Sequence, residues 1–328
     1  MEKTLSVNGL ASRLLGKLLA NTAYFGVSVR KMDCGTTVVD AGAEAKGGFE
    51  AGRLITEICM GGCGRATITR SKYGELDLCS IFVHTDHPVI ATLGSQYAGW
   101  QVKEQGYFAI GSGPARALAL KPKEIYDEIG YKDDFDKAIL VLEAAKTPST
   151  ALVERIAKDC KVAPDKLTVI VAPTTTVAGA IQVSGRIVET GIHKLRRVGL
   201  DPNEILQGWG CAPISPVSPK FAEAMARTND AILYGGTVYY TVKHDDDDEL
   251  KEIIQKAPSE TSKQYGKPFI EIFKETKSDF YKIDPNLFAP ATVTLTNILT
   301  GRTFKSGSIN VGAMAKSFNI EAARTLTS

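Results

Sequence analysis

Short apolar runs of about four to eight residues, set between turn signals and helical periodicities, recur along the whole chain and restrict its fold more than any other feature. Residues 25–40 carry two β-rich runs around Asp33-Cys34-Gly35, a hairpin signal. Two more strand-like runs, 66–70 and 78–85, flank the turn Lys72-Tyr73-Gly74-Glu75. Further strands are expected over 106–110, 138–142, 167–172 and 231–241, with a pair around Leu299–Arg302 within 289–304. Helical patterns occupy 51–60, 121–129, 149–160 capped by Ser149, 176–200 and 220–227; another runs from Pro88 towards Trp100 with Asp86 as its cap. Hairpins mixed with helices indicate an α+β fold rather than a purely parallel sheet. At 328 residues the chain exceeds one ordinary core and has room for about two domains.

Charge and cysteine usage remove several function classes. The 39 basic and 37 acidic residues leave a net charge of only +2, which disfavours wholesale nucleic-acid binding. No apolar stretch reaches the ~20 residues needed to cross a bilayer, and the start carries no signal-peptide core, so a cytoplasmic protein without membrane contact is expected. The six cysteines do not suggest a disulfide framework in a chain this long. Cys59 and Cys63 in CMGGC, and His84 and His87 in HTDH, lack the ligand number and spacing of a zinc site, so no metal is expected. The run His244 to Glu249 (HDDDDE) reads as a solvated loop before a helix, because consecutive acids point in different directions.

Two segments concentrate candidate chemistry. Gly111-Ser112-Gly113-Pro114-Ala115-Arg116 follows an expected strand and begins like a dinucleotide fingerprint, but Arg116 stands where the third glycine belongs. A helix starting at Pro114 would still attract an anion, and Arg116 would add a fork for phosphate or carboxylate; a plain strand–helix turn is the alternative. In the 176–200 pattern, Val177, Ile181, Val188, Ile192 and Leu195 form a buried stripe. Taking Ile181 as zero, Gln182, Arg186, Glu189 and His193 lie at about 100°, 140°, 80° and 120°, a polar stripe beside the buried one. Gly179, Ala180, Ser184 and Gly185 let another backbone or a flat ligand come close. The Arg186–Glu189 spacing fits a surface ion pair as well as a carboxylate base with its guanidinium partner.

The stretches SVN, GGFEAG, CMGG, TDHP, AGWQV, GSGPARALALKPKE and VAPT, followed by GRIVETGI, RTNDAILYGGTVY, YGKPF and FYKIDPNLFAPA, span almost the whole chain. Together they resemble the methenyltetrahydromethanopterin cyclohydrolase family. The resemblance implies reversible hydrolysis of the 5,10-methenyl pterin to the 5-formyl pterin in one-carbon metabolism. It also implies two mixed α+β domains with the site in the cleft between them, and a homo-oligomer, with a trimer favoured over a dimer. On this reading 1–115 form the first domain and 116–328 the second, whose last strands are free to pack back on the first. The family's catalytic Glu and Arg fall on Glu189 and Arg186. Ser95 and Gln96 are candidates for the ring edge, Gly111, Ser112, Gly113 and Arg116 for the phosphate-bearing tail, and Gln182 joins them from the stripe. The pterin is substrate and one-carbon carrier, so no separate cofactor is expected. A non-catalytic pterin- or nucleotide-binding module would need neither Arg186 nor Glu189, and the broken glycine fingerprint disfavours a nicotinamide oxidoreductase.

Overall fold

The computed structural model describes residues 5–320. The chain begins with the helix Val7–Ala20, whose start is fixed by the Ser6 hydroxyl accepting from the Gly9 amide. Its Val7, Ala11, Leu14, Leu15 and Leu18 turn inward at helical spacing. Two six-stranded sheets follow. The first has the order β1 (Ser28–Lys31), β2 (Thr37–Asp40), β8 (Leu167–Val171), β7 (Ala138–Glu143), β6 (Tyr107–Ser112) and β5 (Trp100–Glu104). Its centre, β2-β8-β7, is parallel, and β7 and β8 read as near-continuous apolar runs because both faces are covered. The second has the order β12 (Thr303–Gly307), β11 (Thr292–Asn297), β10 (Thr237–Val242), β9 (Ile205–Pro213), β4 (Leu76–Thr85) and β3 (Arg65–Tyr73). It is antiparallel except where β10 meets β11.

The chain is therefore α+β with two sheet-bearing units, and its strands interleave. A division at 115/116 falls between β6 and β7, which pair through Ile110–Glu143, while the β3–β4 hairpin joins β9 from the second half. Among the described residues, no helix is long and apolar enough to cross a membrane.

Several elements differ from expectation. The helix from Pro88 stops early: Pro88–Ala91 is α-helical, Thr92–Gln96 is a π-helical turn, and Trp100 opens β5. Its cap position is His87, not Asp86; the Thr85 hydroxyl accepts from the His87 amide. The run 231–241 is not one strand. Ala231–Gly235 completes the helix Phe221–Gly235, and only Thr237–Val242 is extended. Ala231, Leu233 and Tyr234 of the apolar AILY pack in a cluster with Phe269, Ile272 and Met314, while Ile232 joins the main core, a case where a short apolar run does not separate helix from strand. Strand β9 was not foreseen, because Gly208 and Gly210 dilute its pattern. A Cβ at Gly208 would lie 2.8 Å from the Tyr240 ring, so the glycine admits that side chain. The N-terminal helix Val7–Ala20 likewise stands outside the expected helices. The acidic run caps a helix, as Asp246 accepts from the amides of Asp248 and Glu249 at the start of Asp247–Gln255.

Candidate active site

The expected 176–200 helix is two helices, Val177–Ser184 and Ile187–Arg197, broken at Gly185-Arg186. The Thr176 hydroxyl caps the first by accepting from Gly179. The break follows from packing. The helix Phe49–Cys59 lies against Val177–Ser184, and a Cβ at Gly185 would come 2.5 Å from Thr56 Cγ2. Gly185 thus admits the Phe49–Cys59 helix.

The polar stripe survives the break. Arg186 occupies the cap position of the second helix, and its Nη2 donates to Ser112 Oγ at 3.0 Å and Gln182 Oε1 at 3.2 Å. Ser112 ends β6 in the first sheet, whereas Ile187–Arg197 packs on β9 and β10 of the second, so Arg186 ties the two sheets together at this point. Gln96, at the end of the π-helical turn, donates from Nε2 to the Gly185 carbonyl at 3.0 Å. Gln182, Gln96 and Ser112 are fully buried and Arg186 nearly so. Three of the polar atoms here remain unpartnered: Gln96 Oε1, Gln182 Nε2 and Arg186 Nε. Buried polar groups are normally paired, so an acceptor and two donors left open around one helix break mark where a polar ligand or water gains most.

Glu189 sits in the first turn of the second helix, 6% exposed. Its carboxylate accepts no hydrogen bond among the described residues. Burial pushes its pKa up to about 7, although the positive charges of Arg186 and Arg116 oppose the rise. A carboxyl poised at neutrality, uncommitted to protein donors and beside a guanidinium is able to take a proton from a bound water. The surface ion-pair reading of Arg186 and Glu189 is overturned, since both are buried. His193, one turn on, stacks on Tyr97 with ring centroids 5.2 Å apart. Burial, then Arg197 and Arg196, push its pKa down to about 4, so it is neutral at pH 7.

The remaining candidates are placed differently from expectation. Arg116 does not form an open anion fork. It is fully buried; its Nε donates to the Lys121 carbonyl at 2.8 Å and its Nη1 to the Leu93 and Ser95 carbonyls at 3.2 and 3.0 Å. The helix it belongs to, Ala115–Ala119, is a single short turn. Gly113, at φ 98°, donates its amide to the Ser95 carbonyl, and Gly111, in β6, lies opposite Trp100 of β5. The Ser95 hydroxyl donates to the Cys59 carbonyl at 2.7 Å, so it is committed to the main chain rather than to a ring edge. Sequence reasoning missed Tyr97 and Tyr126, whose rings flank Arg116; nothing in their spacing announces it.

His84 and His87 line a separate cleft of about 250 Å³ with Cys63 and Asp86. Cys59 lies elsewhere, buried 3.7 Å from Ser112 Oγ. Among the described residues, no group of three or more His, Cys, Asp or Glu side chains is placed to hold a metal ion.

A family model described as Cyclohydrolase (MCH) matches residues 6–318. Chains named methenyltetrahydromethanopterin cyclohydrolase are similar throughout. That of Methanococcoides burtonii is 43% identical over 317 residues, 97% of this chain and 99% of the relative. Those of Methanosarcina barkeri and Methanospirillum hungatei are 44% and 45% identical, each covering 96% of this chain and 99% of the relative.

Proposed function

The chain belongs to the cyclohydrolase (MCH) family, and from that premise we propose that it hydrolyses 5,10-methenyltetrahydromethanopterin to the 5-formyl pterin, with Glu189 as general base. It is an enzyme, a hydrolase acting on a C–N bond of a cyclic amidine. One-carbon metabolism, in methanogenesis or methylotrophy, is the setting this reading gives it.

The methenyl bridge joins two nitrogens and already carries positive charge, so its carbon is an electrophile without Lewis-acid help. Water adds to that carbon as Glu189 accepts one of its protons. Glu189 then returns the proton to the departing ring nitrogen as the C–N bond breaks. The carbinol oxygen loses its remaining proton to give the formyl group, so one proton is released per turnover. Arg186 favours the ionised carboxylate and holds the helix break through Gln182 and Ser112. Gln96 Oε1 and Gln182 Nε2 offer one acceptor and one donor to an amide-like ring edge.

The observation that carries the assignment is the buried Glu189 carboxylate, free of protein donors beside Arg186. Glu189→Gln keeps the shape but cannot accept the proton. It is expected to fold, bind the pterin and lose at least ~100-fold in turnover, followed by loss of the methenyl ultraviolet band. Near-normal turnover in the folded variant would remove Glu189 as base.

A further inference from the structure

Arg116 is the largest fully buried side chain among the described residues and makes no ion pair within contact distance there. A buried guanidinium is costly unless its surroundings compensate the charge. Here the compensation is specific. Its carbon lies 5.2 Å from the Tyr97 ring centroid and 5.5 Å from that of Tyr126, so the cation is flanked by two π faces. Its Nη1 holds two carbonyls of the π-helical turn Thr92–Gln96, and the Tyr126 hydroxyl donates to a third, Gly94, at 2.9 Å. π-helical turns are rare and concentrate at functional sites.

Two routes lead from this clamp to the reacting groups. Through the turn, Gln96 reaches the Gly185 carbonyl at the break that presents Arg186. Through Tyr97, whose ring also stacks on His193, the clamp meets the helix one turn beyond Glu189. We propose that Arg116 is a positioning residue for the hydrolysis: a buried cation that fixes the Gln96 turn against the helix break. Its charge also favours ionised Glu189. This rests on the reading of Glu189 as the base. The groups facing Glu189 are Arg186 at the break, Arg116 from Ala115–Ala119, Tyr97 at the end of the π-helical turn and Tyr240 from β10, with His193 one turn on along its own helix. Burial keeps both phenols protonated and His193 neutral, so the facing charges are the two guanidinium groups. Burial pulls the Arg116 pKa down, and attraction to Tyr126, Tyr97 and Glu189 opposes that fall.

The test compares Arg116→Met and Arg116→Lys in steady-state kinetics against pH. Loss of the cation in the Met variant is expected to move the acid limb of kcat/KM to higher pH. The Lys variant keeps the charge but lacks the planar fork. Its limb is expected to stay in place while kcat falls ~10-fold at little-changed KM. An unmoved limb in a folded Met variant overturns the charge role. If the Met variant does not fold, the Lys variant decides: parental kcat overturns the clamp, and raised KM with parental kcat makes Arg116 a ligand contact instead. A limb that is present in the parent but insensitive to Arg116 sinks this inference alone. Turnover surviving in Glu189→Gln sinks the base assignment beneath it.

Discussion

Between about pH 5 and pH 8 the protein should lose stability relative to its Glu189→Gln variant. Burial lifts the Glu189 pKa from 4.5 to about 7 in the folded chain. The unfolded chain therefore releases this proton first, and between these values the folded state binds more protons. By linkage, folding stability then falls as pH rises through that window, and the loss is complete above about pH 8. Each tenfold change in the ionisation constant corresponds to about 1.4 kcal/mol, so the displacement is worth about 3 kcal/mol. Substitution also alters the contacts of Arg186 and Arg116, but those changes do not depend on the titration of residue 189. The pH dependence of the difference isolates the carboxyl. Chemical denaturation of both proteins at several pH values gives that difference directly. The upper end of the window, where the stability difference levels off at the folded-state pKa, should coincide with the acid limb of parental kcat/KM, since one carboxyl governs both. Parallel stability curves would refute the argument, as would a limb near 4.5.

Exhaustive chelation should leave activity essentially intact, because the substrate's own charge supplies the electrophile; loss restored by zinc would refute this. Asp230 accepts from the Phe269 amide at 3.0 Å, and the Ser317 hydroxyl also donates to it, tying the helix Val311–Phe318 to Phe221–Gly235. Asp230→Ala should cost ~1–3 kcal/mol and speed amide exchange in Val311–Phe318. Unchanged exchange there would show that apolar packing alone holds that helix.

The polar stripe of Gln182, Arg186, Glu189 and His193 was legible because helical periodicity continues almost in phase across the two-residue interruption at Gly185-Arg186. The interruption itself was not legible. It depends on how closely the Phe49–Cys59 helix approaches Gly185, a contact made by residues over a hundred positions away. Arg116 was misread for a related reason. In sequence it is a cation after a glycine-rich turn; only the fold brings the Tyr97 and Tyr126 rings against it. Hairpins such as β3–β4 were visible from local turn chemistry, whereas the order of strands within each sheet depends on pairings between distant segments. The helix Phe221–Gly235 absorbed an apolar run whose four residues fit either period.

Interleaved strands also impose a schedule on the making of this protein. The β3–β4 hairpin ends at Thr85, yet its sheet neighbour β9 begins only at Ile205, roughly 120 residues later. At about 5–20 residues per second, the ribosome leaves the β4 edge without its partner for on the order of ten seconds. During that interval a long strand edge, with Ile81 and Val83 still unburied, is open to pairing with a neighbouring nascent chain. The first sheet is released earlier, once β8 has emerged at Val171 to join β2 and β7. Synthesis thus favours closing the sheet that contributes Ser112 before the one that supports Glu189, and Arg186 meets its partner on β6 only as the second sheet assembles.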